Sequence, residues 1–81
     1  MIDGERIALR EKILERLWDD ANYGDKKILT FDQSRYGNVF IDFGDGTPVS
    51  IPLFCLAERM VDDEELRNQY MDISDSVREK L

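Results

Sequence analysis

The stretch that decides the fold covers residues 38–51 and reads NVFIDFGDGTPVSI. In its first part, residues 38–43, apolar side chains occupy every second position, which is typical of a β-strand with one buried face. The alternation returns over residues 48–51. We therefore predict two strands joined by the glycine-rich segment 44–47.

The register of this hairpin depends on the length of its loop. A two-residue turn at the Asp-Gly pair would place Val49 opposite Asp42 and split the apolar face between the two sides of the sheet. A three-residue loop over residues 44–46 places Val49 opposite Ile41 and puts Gly46 in the left-handed position of a bulged turn. We predict the three-residue loop, which also pairs Ile51 with Val39.

A first strand is predicted over residues 27–32, where the same alternation occurs. With a loop to the next strand, it would pair Phe31 with Val39 and Leu29 with Ile41. The three strands then form an antiparallel meander that is covered on one face only. Its apolar face comprises Leu29, Phe31, Val39, Ile41, Phe43, Val49 and Ile51.

The N-terminal segment is predicted to be a helix, because no proline or glycine interrupts residues 5–21. Asp3 would cap its start, and Gly24 would provide a left-handed residue at its end. Its apolar side chains fill roughly 180° of a helical wheel, a sector wide enough to contact both the sheet and a second helix. Arg6 and Arg10 fall inside this sector, where they would either snorkel or pair with carboxylates of the second helix.

The C-terminal segment is also predicted to be helical, with Pro52 at the first helical position. Asp62 and Glu65 have the spacing of a capping box, which favours a break at Asp62. The fold is thus α+β, as one domain over residues 1–81, with the order α-β-β-β-α or, with the break, α-β-β-β-α-α. Beyond the break, the apolar stripe comprises Leu66, Tyr70, Ile73, Val77 and Leu81.

Composition and charge narrow the choice of partner. The 81 residues include 11 basic and 18 acidic side chains, and the net charge of −7 repels nucleic-acid phosphates and anionic membrane surfaces. We expect no direct binding of nucleic acid, and we favour a protein partner with a basic surface. No apolar run approaches the ~18 residues of a membrane span, and the N-terminus has no signal-peptide pattern, so a cytoplasmic location is expected.

The chain has one cysteine and no histidine, which limits the catalytic chemistry that it could perform. One thiol cannot form an internal disulfide, which favours a reducing compartment, and Cys55 is expected to be a small buried hydrophobe because it lies in an apolar run. A nucleophilic role would require a base such as histidine.

Residues 42–47 contain the Asp and Gly of a calcium loop, but the twelfth position is Leu53 rather than Glu. We therefore predict no enzymatic activity, catalytic residue, cofactor or metal site.

The first candidate site is an acidic arc on the last helix. Its carboxylates share a sector of about 100° on the side opposite the apolar stripe, and a helix from Glu65 to Glu79 rises roughly 21 Å. Such a row can imitate nucleic-acid phosphates and occupy a basic groove, or it can be an ordinary solvated helix face. This acidic helix face comprises Glu64, Glu65, Asp72, Asp75 and Glu79.

The second candidate site is the outer side of the sheet. Ile28 and Phe40 are predicted to point away from the core, with Tyr36 in the nearby loop. An exposed aromatic patch suits a protein contact or a homodimer seam, whereas separate surface hydrophobes need no function. We call Ile28, Tyr36 and Phe40 the sheet face.

In size, acidity and element order, the chain resembles the small inhibitors that phages encode against host defence, including the anti-CRISPR proteins. The resemblance implies a nucleic-acid mimic that binds a basic groove of a nucleic-acid-handling protein in the host cytoplasm and blocks it. We therefore expect a non-enzymatic inhibitor or regulator that uses the acidic helix face or the sheet face. The alternatives are a structural or regulatory subunit of a homo- or hetero-oligomer, and an antitoxin or immunity protein.

Overall fold

The computed structural model describes residues 2–23, 28–43 and 46–80. The elements follow the order α-β-β-β-α-α, which confirms the α+β class and the break in the C-terminal helix. They are α1 (Asp3–Ala21), β1 (Thr30–Phe31), β2 (Asn38–Ile41), β3 (Val49–Pro52), α2 (Leu53–Asp62) and α3 (Glu64–Glu79).

The three strands form an antiparallel sheet in the order β1-β2-β3. Val39 lies opposite Ile51, and Ile41 lies opposite Val49, which confirms the predicted register of the second hairpin. Gly46 has a φ of +81°, the left-handed conformation expected of it, while residues 44 and 45 lie outside the described ranges.

The first hairpin is shorter than predicted. Phe31 pairs with Val39 as expected, but the ladder begins at Thr30 and does not include the predicted pair of Leu29 with Ile41. Both of these side chains are nevertheless buried in the core. The apolar pattern therefore predicted which residues are buried, but not how long the strand is. The predicted start of this strand at Lys27 lies outside the described residues.

The other two strands shift at their ends. β2 stops at Ile41, two residues before the predicted end, and β3 runs one residue further along the chain than predicted, through Pro52. Pro52 is also the N-cap of α2 rather than its first helical residue, because its ψ of 136° is extended. Proline at the last position of an edge strand removes a donor that a second sheet would need for pairing.

One cluster of buried side chains joins all three helices to the sheet. The face of α1 with Ile13 and Leu17 packs against α2, as the wide apolar sector predicted. The sector is not fully covered, however, since Ile7 and Trp18 remain 47% and 56% exposed. The buried hydrophobic residues are Ile13, Leu17, Ala21, Leu29, Val39, Ile41, Leu56, Ala57, Met60, Val61 and Tyr70.

The helix ends show where the capping predictions were wrong. Ile2, not Asp3, is the N-cap of α1, and Asp3 lies inside the first turn, where its charge favours the helix dipole. α1 ends at Ala21, and the N–H of its C-cap, Asn22, donates to the Asp19 carbonyl, while the predicted Gly24 lies outside the described residues.

The break between α2 and α3 is capped by a different aspartate from the one predicted. The Asp63 carboxylate accepts a hydrogen bond of 3.1 Å from the N–H of Leu66, whereas Asp62 is the last residue of α2. Asp62 instead accepts a hydrogen bond from the Arg6 side chain. The two neighbouring carboxylates therefore accept hydrogen bonds from different partners. α3 begins one residue later than the capping-box spacing indicated.

Candidate functional site

An open groove lies where α1, the β1–β2 turn and the start of α2 meet. It has a volume of about 570 Å³, and its walls are mainly aromatic and aliphatic. Phe54 is 68% exposed and Tyr36 is fully exposed. Trp18 packs edge-on against Phe31, with 5.6 Å between the ring centroids and an interplanar angle of 61°. We call this surface the aromatic groove, lined by Trp18, Phe31, Asp32, Tyr36, Leu53 and Phe54.

Local structure explains why these side chains reach the surface. Phe54 lies in the first turn of α2, where the buried side chains are Leu56 and Ala57. Tyr36 occupies the corner of a turn closed by the Asn38 N–H, which donates to the Arg35 carbonyl, while the next residue, Gly37, takes a φ of +86°. The first turn of α2 and the glycine turn before β2 therefore position the side chains of the groove, and backbone structure fixes both of these segments.

One carboxylate stands in the wall of the aromatic groove. Asp32 is 8% exposed, and its Oδ1 accepts hydrogen bonds from the Ser34 N–H at 2.9 Å and from the Ser34 hydroxyl at 2.7 Å. Its Oδ2 accepts a hydrogen bond from the Ser50 hydroxyl at 2.7 Å. These bonds, those from Ser34 foremost, lower the pKa of Asp32, and the charge of Arg35 adds to the effect. Asp32 is thus ionised at neutral pH, and it forms no ion pair with any residue in the described part of the chain.

A second carboxylate, Asp20, is fully buried between α1 and α3. Its Oδ2 accepts hydrogen bonds from the hydroxyls of Tyr70 and Ser74, at 2.5 and 2.8 Å. Its Oδ1 accepts two from the Arg78 guanidinium, at 3.0 and 2.5 Å, and that guanidinium lies over the Tyr23 ring, 4.5 Å from its centroid. The Arg16 guanidinium also lies 3.5 Å from Oδ2 and donates to the Ser74 hydroxyl, so described residues engage both carboxylate oxygens and the network is structural rather than an open site.

Sequence reasoning missed the Asp20 network. The available signal was the spacing of Tyr70, Ser74 and Arg78, which are four residues apart and share one side of α3. Tyr70 was assigned to the apolar stripe, and it is indeed buried, but Ser74 is equally buried beside it. Of the other predicted stripe residues, Leu66, Ile73 and Val77 are half-buried, and Leu81 lies outside the described ranges.

The acidic helix face is exposed along the length of α3, at Glu64, Glu65, Asp72, Asp75 and Glu79. The arginines of the same helix are turned away from it, since Arg67 donates to the Met60 carbonyl and Arg78 donates to Asp20. Asp75 is paired with Arg16 of α1 at 2.7 Å. Within residues 2–23, 28–43 and 46–80, the other four carboxylates of this face have no ion pair.

Arginine pairing also joins α1 to α2. Arg6 and Arg10 both donate to the Glu58 carboxylate at 2.9 Å, and Arg6 also contacts Asp62. These bonds, led by the one from Arg10, lower the pKa of Glu58. Of the two expectations for Arg6 and Arg10, pairing with the second helix is the one observed.

The sheet face does not form one patch. Phe40 is 38% exposed, and it lines a shallow cavity of about 400 Å³ together with Ile28. Ile28 itself is half-buried and packs against the core, which the prediction of an outward side chain missed. Tyr36 lines the aromatic groove instead. The predicted trio is therefore divided between two surfaces.

Cys55 is exposed, so the prediction of a buried thiol was wrong. The buried side of α2 contains Leu56, Ala57, Met60 and Val61, and Cys55 falls outside that spacing. In the described ranges, no group of three or more acidic, cysteine or histidine side chains could hold a metal ion. No helix there has the length and apolar character needed to cross a membrane.

Comparisons with protein-family models, with curated proteins and with solved structures gave no match to this chain. The aromatic groove, the acidic helix face and the paired carboxylates are thus interpreted from their own geometry. An open apolar groove with one ionised wall residue is suited to holding a side chain of another molecule.

Proposed function

We propose that this protein is a non-enzymatic binding module that regulates or inhibits a protein partner with a basic surface, and that it docks through the aromatic groove. The observation that carries the proposal is the exposure of Trp18, Tyr36 and Phe54 around one concave surface. Large aromatic side chains are the residues that most often dominate protein–protein interfaces. Side chains of this kind left in water at one place favour a contact surface over scattered surface residues.

The energetics of the groove support docking of a protein. Each large aromatic side chain buries about 150–250 Å² when it is covered, and apolar area contributes about 25 cal/mol per Å². Covering the exposed parts of three such side chains supplies several kcal/mol before the cost of association is subtracted. The groove is also mostly fixed by backbone structure, which limits the entropy lost on binding.

The charge of the surrounding surface supports a basic partner. Glu15 lies one helical turn before Trp18, and Glu11 lies one turn further back, both exposed. The acidic helix face adds four carboxylates on α3 that form no ion pair with any described residue, since Arg67 and Arg78 of that helix donate elsewhere. Acidic groups of this kind increase the rate at which a basic protein is captured, while the aromatic side chains hold it.

The proposal is tested by measuring capture with matched variants. Trp18→Ala, Tyr36→Ala and Phe54→Ala each remove an exposed aromatic side chain, and Phe40→Ala removes one from a different surface. The immobilised proteins would be compared in a lysate of the cells that make the protein, and each captured protein would then be purified and titrated by calorimetry. We expect the groove variants to lose at least about tenfold in affinity, with the Phe40 variant close to the original protein.

Two outcomes would contradict the proposal. If the purified partner binds the three groove variants as tightly as the original protein, docking does not use this surface. If sedimentation shows that the protein alone is a dimer, and the Trp18 and Phe54 variants are monomers, the groove is an oligomer seam and the protein is a subunit of a homo-oligomer.

A further inference from the structure

We propose that the aromatic groove receives the guanidinium group of an arginine side chain from the partner protein, placed on the aromatic rings and against the carboxylate of Asp32. This inference rests on the proposed function and names the chemistry that the groove recognises. It depends on three observations, namely the composition of the groove, the unfilled acceptor capacity of Asp32, and a site of the same composition elsewhere in the molecule.

The groove combines two groups that attract a cation. The faces of Trp and Tyr rings attract cationic side chains, and both Trp18 and Tyr36 line the groove and are accessible. Asp32 lines the same groove as an ionised carboxylate whose hydrogen bonds come from neutral donors. The charge of Arg35 acts on Asp32, but within residues 28–43 the two side chains form no ion pair.

The acceptor capacity of Asp32 is not exhausted. A carboxylate has about four sites for accepting hydrogen bonds. Oδ1 accepts two, from the N–H and the hydroxyl of Ser34, and Oδ2 accepts one, from Ser50. Among the described residues, no further donor reaches Oδ2, so one site remains for a donor that enters the groove, and a charged donor would form the stronger, charge-assisted bond.

A related site in the interior of the protein already holds a guanidinium beside a carboxylate. Asp20 accepts hydrogen bonds from two hydroxyls on one oxygen, and its other oxygen holds the Arg78 guanidinium, which lies over the Tyr23 ring. Asp32 also accepts bonds from two hydroxyls and lies beside aromatic rings, although its hydroxyl donors are divided between Oδ1 and Oδ2. The groove therefore shares a carboxylate, two hydroxyl donors and aromatic rings with the surroundings of Arg78, and the guanidinium would come from another molecule.

Arginine fits this groove better than lysine does. Its planar guanidinium can stack on an aromatic face and donate to a carboxylate at the same time, whereas an ammonium is a compact and strongly hydrated charge. A second copy of this chain is a poorer occupant, because each copy carries a net charge of −7 and would bring exposed Glu11 and Glu15 toward the same residues of the other.

The test uses three short peptides and the full-length protein. The probes are acetyl-Gly-Arg-Gly-amide, its lysine counterpart, and its citrulline counterpart, which keeps the shape of arginine but has no charge. Binding would be followed by two-dimensional NMR at the Trp18 indole N–H and the Gly37 amide. We expect saturable shifts with the arginine peptide, affinity at least about fivefold lower with citrulline, and an intermediate value with lysine.

Variants separate the two halves of the site. Asp32→Asn keeps the shape and removes the charge, and Tyr36→Ala removes a fully exposed ring without touching the core. Each is expected to weaken binding of the arginine peptide about fivefold or more, while Phe40→Ala leaves it unchanged. If Asp32→Asn fails to fold, the inference is tested by the binding of the Tyr36 variant and of the citrulline peptide.

Equal binding of the arginine and citrulline peptides would overturn this inference, as would unchanged binding by both Asp32→Asn and Tyr36→Ala. Dimerisation of the protein through the groove, detected by sedimentation at the NMR concentration, would also overturn it. If the purified partner needs Trp18 and Phe54 but tolerates Asp32→Asn, the proposed function stands and the guanidinium inference fails. If the partner needs none of these side chains, the proposed function fails as well.

Discussion

The carboxylate of Asp20 accepts a 2.5 Å hydrogen bond from the hydroxyl of Tyr70, although the two residues are fifty positions apart and both are fully buried. This contact links the end of α1 to the middle of α3. A carboxylate at such a depth is tolerated only when its oxygens are engaged, and Ser74, Arg78 and Arg16 also contact it. The attachment of α3 to α1 therefore depends on one polar cluster.

Asp20→Ala is expected to lower the free energy of unfolding by about 3–5 kcal/mol, because it leaves the Arg78 guanidinium and two hydroxyls without their acceptor. Urea denaturation followed by circular dichroism would measure the change. Asp19→Ala, at an exposed neighbouring position on the same helix, serves as the control and is expected to stay within about 0.5 kcal/mol. Similar losses in both variants would show that the cluster does not secure α3.

Alkaline pH is expected to destabilise the protein through Tyr70. Burial raises the pKa of the Tyr70 hydroxyl above its ordinary value of 10, and the hydrogen bond to Asp20 raises it further. The unfolded chain loses this proton above pH 10 while the folded protein keeps it, so stability is full below pH 10 and falls as the pH rises beyond it.

The measurement for Tyr70 is the free energy of unfolding as a function of pH. One proton retained by the folded state gives a slope of up to about 1.4 kcal/mol per pH unit. Tyr70→Phe should remove this slope, whereas Tyr36→Phe, at a fully exposed position, should preserve it. An unchanged slope in Tyr70→Phe would refute the assignment.

The start of α3 provides a test with two adjacent aspartates. Asp63→Ala removes the side chain that caps the helix, and we expect a loss of about 1 kcal/mol that salt reduces only in part. Asp62→Ala removes only an exposed partner of Arg6, so its smaller effect should fade as salt is added. Denaturation at low and high salt would distinguish the two. A larger loss for Asp62 would indicate that the capping-box spacing predicted the cap correctly.

Reversing charge on the acidic helix face is expected to slow binding of the partner. Glu65, Asp72 and Glu79 would be changed together to lysine, and Asp75 left in place because it pairs with Arg16. The association rate should fall at least about tenfold at low salt, and its dependence on salt should weaken. Changing the same three residues to glutamine should produce a smaller decrease. A folded lysine variant with an unchanged rate would show that this face is only solvated.

The parts of the fold that the sequence predicted are those in which one periodic pattern decides the outcome. The alternation around Ile41 and Val49 determined the register, because a shift of one residue would turn the apolar side chains of one strand to the opposite face from those of the other. The break near Asp62 was likewise readable from the acidic run. The strand ends and the helix caps could not be predicted in this way. Asp3 and Asp62 each have a neighbour that could also be the N-cap, and the backbone geometry decides which residue it is.

The candidate site was predicted less well, because it depends on which residues of an apolar sector remain uncovered. The helical wheel placed Trp18 in the apolar sector of α1, yet its ring meets Phe31 edge-on and remains 56% exposed. Tyr36 was noted as exposed but was assigned to the wrong surface, since the direction of a turn cannot be obtained from alternation. The sequence offered only a local turn signal at Asp32, from Ser34 two residues further on, because its other partner, Ser50, is eighteen residues away.

The spacing of the residues that hold Asp20 has a consequence for changes in chain length. Tyr70, Ser74 and Arg78 lie on one side of α3 because each is four residues from the next. A single residue inserted between the Asp63 cap and Tyr70 would rotate all three by about 100°. One insertion would thus break all the hydrogen bonds from α3 to Asp20 at once and turn Arg78 toward solvent, whereas substitutions remove the same contacts one at a time. We therefore expect this half of α3 to accept changes of residue far more readily than insertions or deletions.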